Sequence, residues 1–233
     1  QLAELNTELI ELRSLEKYAV TGRAASVIAH EVRHPFPNLN LAAEQLRSEI
    51  EDTPNTDMMF KMITRNSERI NQLVSDLLET TRISELKFSE ASINDIMDES
   101  IKLALDRIEL NQVKVIKKYD PDICPISVDI EKIKIAFLNI IVNAVEAMGE
   151  NGILEISTSK KNEKCIVRIA DNGIGMSKSD MNRLFEPYFT TKEKGNGLGL
   201  ANTQNIILGH KGSITAESEP GKGTVFAISF IIS

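Results

Sequence analysis

All but one of the twelve glycines in this 233-residue chain lie at or beyond Gly149, and the exception is Gly22. Glycine weakens a helix interior and serves tight turns, so this distribution splits the chain into a helical part and a turn-rich part. Within the first ninety residues proline occurs only at Pro35, Pro37 and Pro54. Leu2, Leu5, Leu9 and Leu12 recur at three- and four-residue steps, the seam of a coiled-coil-like lead-in over 1–15. The helical pattern continues through Val27, Ile28, Leu39, Leu41 and Leu46 to about Ile50, where the polar run 51–57, centred on Pro54, predicts a turn. A second helix is predicted from about Met58 to Ile83, with Ile63, Ile70, Leu73, Val74, Leu77 and Leu78 on its apolar side. One hairpin leaves both stripes partly uncovered, so two copies forming a four-helix bundle is the expected solution.

Beyond about Leu86 short β-rich stretches alternate with helices. Strands are expected at 87–93, 113–119, 153–159, 165–170, 212–217 and 224–232, and helices from 93 to about Glu109 and from Asp129 to Met148. The pattern predicts an α+β chain: a helical hairpin over 1–86, then an α/β sandwich over 87–233 with helices on one face of a mixed sheet. The net charge of −7 offers no Lys/Arg excess to replace phosphate counterions, which argues against a nucleic-acid partner. No run approaches the ~18 apolar residues that span a bilayer, so no direct membrane contact is expected of this stretch. Cys124 and Cys165 have neither metal-ligand nor disulfide-framework spacing, which suits reduced thiols in a cytoplasmic protein. The chain begins at Gln1 rather than Met and is expected to be a fragment, leaving room for a membrane anchor upstream.

Four segments of the second part suit one nucleotide pocket. Asn139 and Asn143 lie four residues apart and share a helix face; their neutral amide oxygens suit a magnesium ion shared with phosphates. Asp171-Asn-Gly173-Ile-Gly175-Met follows an apolar strand, placing a carboxylate beside glycines that let a flat base approach. Phe185-Glu-Pro-Tyr-Phe-Thr-Thr-Lys192 joins an aromatic anchor to phosphate-suited side chains. Gly195-Asn-Gly197-Leu198-Gly199-Leu then opens a helix, where free N–H groups and the helix dipole favour anions. Each segment alone is a common turn or surface pattern; their fixed order carries the weight.

In that order these segments resemble the N box, first glycine box, F box and second glycine box of sensor histidine kinases, and His30-Glu31-Val32-Arg33 resembles the start of that family's phosphoacceptor box. Phe189-Thr-Thr-Lys192 and the ending Asn143-Ala-Val-Glu-Ala-Met148 are closest to its nitrogen-regulation branch. The resemblance spans roughly residues 15–233. It implies a dimerising, His-bearing hairpin followed by a Bergerat-type (GHKL) ATP-binding domain. By the same resemblance, ATP and Mg2+ are bound, His30 is the nucleophile and Glu31 its base. Asn143 ligates the metal with Asn139 beside it at the phosphates, and Asp171 reads the adenine. Gly173, Gly175, Gly197, Leu198 and Gly199 shape the pocket and its lid, and Lys192 touches phosphate. The implied partners are a second copy of the chain and a response-regulator receiver domain.

The chain departs from the family pattern after the acceptor, where His34-Pro35-Phe36-Pro37 replaces the usual Asn or Thr, Pro and Leu. That change puts phosphatase activity in question, and the second proline predicts a kink. Glu146 stands where many members carry a base, so that phosphate contact is expected to be missing. Two other readings compete. His30-Glu-Val-Arg-His34 also matches the zinc-protease pattern H-E-x-x-H, although Pro35 disfavours helical geometry at His34 and no third ligand is evident. An ATP-binding pseudokinase or dimeric scaffold is the non-enzymatic alternative.

Overall fold

The computed structural model describes residues 35–50, 53–81, 86–123, 125–192 and 195–232. The chain divides into two compact units, with the division between Ser84 and Glu85. Among the described residues no helix is long and apolar enough to cross a membrane.

In the first unit, helices α1 (Pro35–Glu49) and α2 (Pro54–Thr81) pack as a hairpin. Both Pro35 and Pro37 fall within the first described turn of α1. The second helix starts four residues before the expected Met58, because Thr53-Pro54-Asn55-Thr56 is a cap rather than a plain turn. Thr53 Oγ1 accepts from the Thr56 N–H (3.2 Å), and Thr56 Oγ1 accepts from the Thr53 N–H (2.8 Å). This is a reciprocal box with threonine in the place usually held by glutamate. Pro54 takes the first helical position, where no donor is needed. Arg47 closes the hairpin by donating to Asp57 Oδ1 at 2.9 Å while lying over the Phe60 ring.

The second unit holds a short antiparallel pair, β1 (Ser89–Ala91) with β3 (Ile126–Val128), and a five-stranded mixed sheet. The sheet comprises β2 (Lys114–Lys118), β4 (Ile153–Lys161), β5 (Lys164–Asp171), β6 (Ser213–Glu219) and β7 (Gly223–Ile231), in the order β2-β4-β5-β7-β6. Only β2 and β4 run parallel. Strands β4, β5 and β7 alternate buried and partly exposed residues, so one face is covered. The covering helix is α5 (Ile130–Met148), which contributes Ile133, Phe137, Ile140, Ile141 and Val145 to a core shared with Leu154, Ile156, Val167, Ile169, Ile228 and Phe230.

The expected single helix over 93–109 is two, α3 (Ile93–Leu103) and α4 (Leu105–Leu110), broken at Ala104. The Ala104 N–H is shared between the carbonyls of Ser100 and Ile101, tightening the turn that redirects the chain. Strand β3 and the six-residue α6 (Lys178–Arg183) have too few residues to show a period, and neither was anticipated. Helix α7 (Gly199–Gly209) completes the layer.

Helix α5 is fixed at its start by Asp129. One carboxylate oxygen caps the Lys132 N–H (3.1 Å) and the other accepts from the Lys87 N–H (2.9 Å). Burial opposes that charge, but these two backbone donors hold the carboxyl below its usual range. The Asp129 N–H in turn donates to His210 Nε2 at 2.9 Å, while Nδ1 faces the Ile206 carbonyl at 2.7 Å. Both ring nitrogens are thus used by one neutral tautomer, and His210 is a structural residue that ties α7 to α5.

Candidate nucleotide site

Helix α5 is the spine of the site. Asn139, Asn143 and Ala147 stand four residues apart along one stripe, and each meets a different one of the other segments. Asn139 Nδ2 donates to the Gly199 carbonyl (3.1 Å) and reaches Thr203 Oγ1 (3.4 Å), which binds the first turn of α7 to the helix. Asn143 Oδ1 accepts from Lys192 Nζ at 2.7 Å. The Ala147 carbonyl accepts from the Ile174 N–H (3.1 Å), which seats the loop of Gly173 and Gly175 against the helix end.

That loop carries Asp171, the last residue of β5 and only 8% exposed. Its Oδ1 accepts from the N–H of Gly173 (2.9 Å) and of Thr224 (3.2 Å). Burial pushes its pKa up, and the two N–H groups pull it partly back. With Oδ1 doubly engaged, Oδ2 is the oxygen left to accept from a ligand. Gly175 has a φ of +65°, and an added Cβ would run into the Glu219 carbonyl, so only glycine fits this turn. The loop is closed by the Met176 N–H on Ser218 Oγ (2.8 Å) and the Gly221 N–H on the Ile174 carbonyl (2.7 Å).

The second glycine segment is pinned by Gly197, whose φ is +66° and whose Cβ would meet the backbone of Tyr188. The Tyr188 N–H donates to the Gly197 carbonyl (3.0 Å). Leu198 is buried and caps α7, its N–H on Asn196 Oδ1 (3.2 Å), and Gly199 begins the helix. The F-box run is held by Arg183, which lies 4.4 Å from the Phe189 ring centroid and pairs with Glu186.

The four segments that sequence alone could only order are therefore brought together around α5. His30 and Glu31 lie outside the described residues, as do His34 and the 1–15 seam. Thr224, Ser218 and Arg107 went unrecognised. Thr224 supplies a donor to Asp171 because β5 and β7 pair them, and Ser218 braces the same corner. Glu146 is not merely a missing base: it accepts from Lys192 (2.6 Å) and Arg107 (2.7 Å). A strand residue following Gly-x-Gly was the available signal for Thr224; neither Ser218 nor Arg107 had one.

Comparison with known proteins agrees with this geometry. Residues 128–232 match the family described as histidine kinase-, DNA gyrase B-, and HSP90-like ATPase, and residues 21–86 match the His kinase A (phospho-acceptor) domain. The second match contains the His30–His34 run. The chain is 32% identical over 212 residues to the sensor histidine kinase ZraS of Klebsiella oxytoca, covering 91% of this chain and 46% of that protein. It is 33% identical over 219 residues to sporulation kinase E of Bacillus subtilis, covering 94% of this chain and 29% of the relative. The chain thus spans half or less of the length of these curated relatives. Among solved structures, histidine kinase ThkA in complex with response regulator protein TrrA aligns with a TM-score of 0.68 at 25% identity, over 99% of this chain and 67% of that one. The phospho-acceptor and ATPase matches, in this order on one chain, make it a member of the sensor histidine kinase family.

Proposed function

We propose that this chain is a protein-histidine kinase that binds ATP with magnesium in residues 87–233 and transfers the γ-phosphoryl group to His30 in the hairpin of residues 1–86. The observation that carries the reading is the buried Asp171, held by two backbone donors through one oxygen and left with the other to accept the adenine amino group. A guanine would present a carbonyl to that oxygen, so the corner selects adenine. The residues also fit the metal, because Asn143 Oδ1 already faces a cation, the Lys192 ammonium. Asn143 would hold magnesium, with Asn139 beside it; when bound, the metal neutralises charge on the phosphates.

The chain's own residues do the rest. Asp171 and the Gly173–Gly175 loop orient the base. The start of α7 offers free N–H groups to phosphate oxygens, and Lys192 adds a positive charge. His30 attacks through a neutral ring nitrogen. Glu31 takes the proton from the other nitrogen. Transfer then rests on positioning and charge neutralisation rather than covalent activation by the protein.

The hairpin carries the partner argument. Leu39, Met59, Met62, Ile63 and Ile70 line an apolar groove along α1 and α2, and each is exposed in the single chain. A second copy would cover it as a four-helix bundle. The onward acceptor is an aspartate of a response-regulator receiver domain, supported by the ThkA–TrrA complex. The expected location is the cytoplasmic side of the cell.

Incubation with γ-labelled ATP and magnesium tests the reading. Acid-labile, base-stable label that is lost in His30→Gln is the expected result. ATP binding without label would instead make the chain a scaffold, and peptide cleavage with bound zinc would restore the protease reading.

A further inference from the structure

The Lys192 ammonium makes two hydrogen bonds in this structure, and they pull toward the same helix. Its Nζ donates to Asn143 Oδ1 (2.7 Å) and to Glu146 Oε2 (2.6 Å), three residues further along α5. The other carboxylate oxygen of Glu146 accepts from Arg107 Nη1 of α4 (2.7 Å). Glu146 is therefore held from one side by Arg107 and holds Lys192 from the other. The geometry is a relay across three segments: α4, α5 and the F-box run.

This has a consequence for the metal. An ammonium 2.7 Å from an amide oxygen and a magnesium ion at about 2.1 Å from the same oxygen would place three positive charges within roughly 5 Å of one another. One amide dipole cannot offset that repulsion, so Lys192 and magnesium compete for Asn143 Oδ1. We propose that Glu146, anchored by Arg107, is a positioning residue that stations Lys192 on Asn143 and so sets how much magnesium is needed to load the nucleotide. When the metal takes Asn143, Lys192 must move off that oxygen, while Arg107 keeps Glu146 in place. The inference rests on the reading that Asn143 ligates magnesium.

Long-range charge acts in the opposite direction. Removing the negative charge of Glu146 would by itself weaken the attraction for a cation, so the sign of the effect separates the two accounts. Both partners are more than a third exposed, so the expected effect is modest, roughly two- to fivefold.

A double-mutant cycle on the full chain tests this, with parent, Glu146→Gln, Lys192→Met and the pair. The readout is the free magnesium giving half-maximal binding of a trinitrophenyl-ATP probe, with a melting curve to confirm folding. Glu146→Gln is expected to lower that concentration in the parent background and not in the Lys192→Met background. A second readout needs neither nucleotide nor metal. The side-chain amide NMR signal of Asn143 should move on Glu146→Gln only while Lys192 is present. A rise in the parent background, or equal shifts in both backgrounds, would mean that Glu146 acts on the metal directly or through its field, and the proposal fails. If the parent bound no probe at any magnesium concentration, the ATP reading itself would fall; a parent that binds normally with unshifted variants sinks only the role of Glu146.

Discussion

Replacing Asp171 with Asn tests the base-reading corner with the least disturbance of shape. Oδ1 accepts from the Gly173 and Thr224 N–H groups, so the amide carbonyl of the variant must sit where Oδ1 sits. Its NH2 then occupies the Oδ2 position and meets the adenine amino group donor to donor. The loss comprises a hydrogen bond to a charged acceptor, about 1.5–3 kcal/mol, with an unpaired donor added. A net of about 2–3 kcal/mol corresponds to a roughly 30- to 150-fold weaker ATP affinity. Guanine presents a carbonyl at the same position, so GTP should weaken far less and the ATP/GTP ratio should collapse. Stability should hold, because burial already disfavours the ionised Asp171 and the amide carries no charge to desolvate. Calorimetric titration with both nucleotides, alongside a denaturant curve, measures all three quantities. ATP affinity within twofold of the parent in a folded Asp171→Asn chain would refute the assignment of Asp171 to the base.

Three further expectations follow from the same geometry. Gly175→Ala combines a left-handed φ with a clash against the Glu219 carbonyl, so it should cost about 2–4 kcal/mol in denaturant unfolding and abolish nucleotide binding; a loss under about 0.5 kcal/mol contradicts the turn described. His210 has its pKa lowered, first by burial, with the Ile206 carbonyl and Asp129 partly opposing. The unfolded chain therefore takes up this proton at higher pH than the folded one. The stability contribution is whole above about 6.5 and is lost as pH falls toward the folded value, by up to about 1.4 kcal/mol per unit. His210→Phe should flatten that slope in melting curves taken across pH 5–8, and an unchanged slope would exclude His210 as its source. Cys165 is fully buried, and burial raises its thiol to about 11. In a Cys124→Ser background a thiol reagent at pH 8 should label it only on unfolding, and rapid labelling of the native chain would contradict that burial.

Much of this was legible in the sequence where a period or a fixed spacing does the work. The helical hairpin follows from apolar steps of three and four, and the sheet strands from alternation around turn residues. The boundaries that differed did so for local reasons. Thr53-Pro54 reads as a breaker by composition but acts as a helix cap once Thr56 answers it. Ala104 breaks a helix although no residue there disfavours one, because the chain must turn before β2. A three-residue strand such as β3 exists only because β1 lies beside it, and composition cannot report a neighbour.

The same distinction explains which site residues were found. Asn139 and Asn143 share a helix face whatever the tertiary fold, and Asp171 with its glycines is a local turn, so both could be read from spacing. Thr224 reaches Asp171 only through the β5–β7 register, in which the two are paired across 53 positions of sequence. A slip of one residue would carry the Thr224 N–H away from the Asp171 carboxylate and break the corner. Arg107 reaches Glu146 only because α4 packs beside α5, and Glu146 reaches Lys192 only because the F-box run returns over the helix. Glu146 in sequence is the absence of a base; in the fold it is the acceptor that decides where the nearest base sits. The residues that spacing reveals are those proposed to meet the ligand, whereas those that position them are set by register and packing, which no single segment contains.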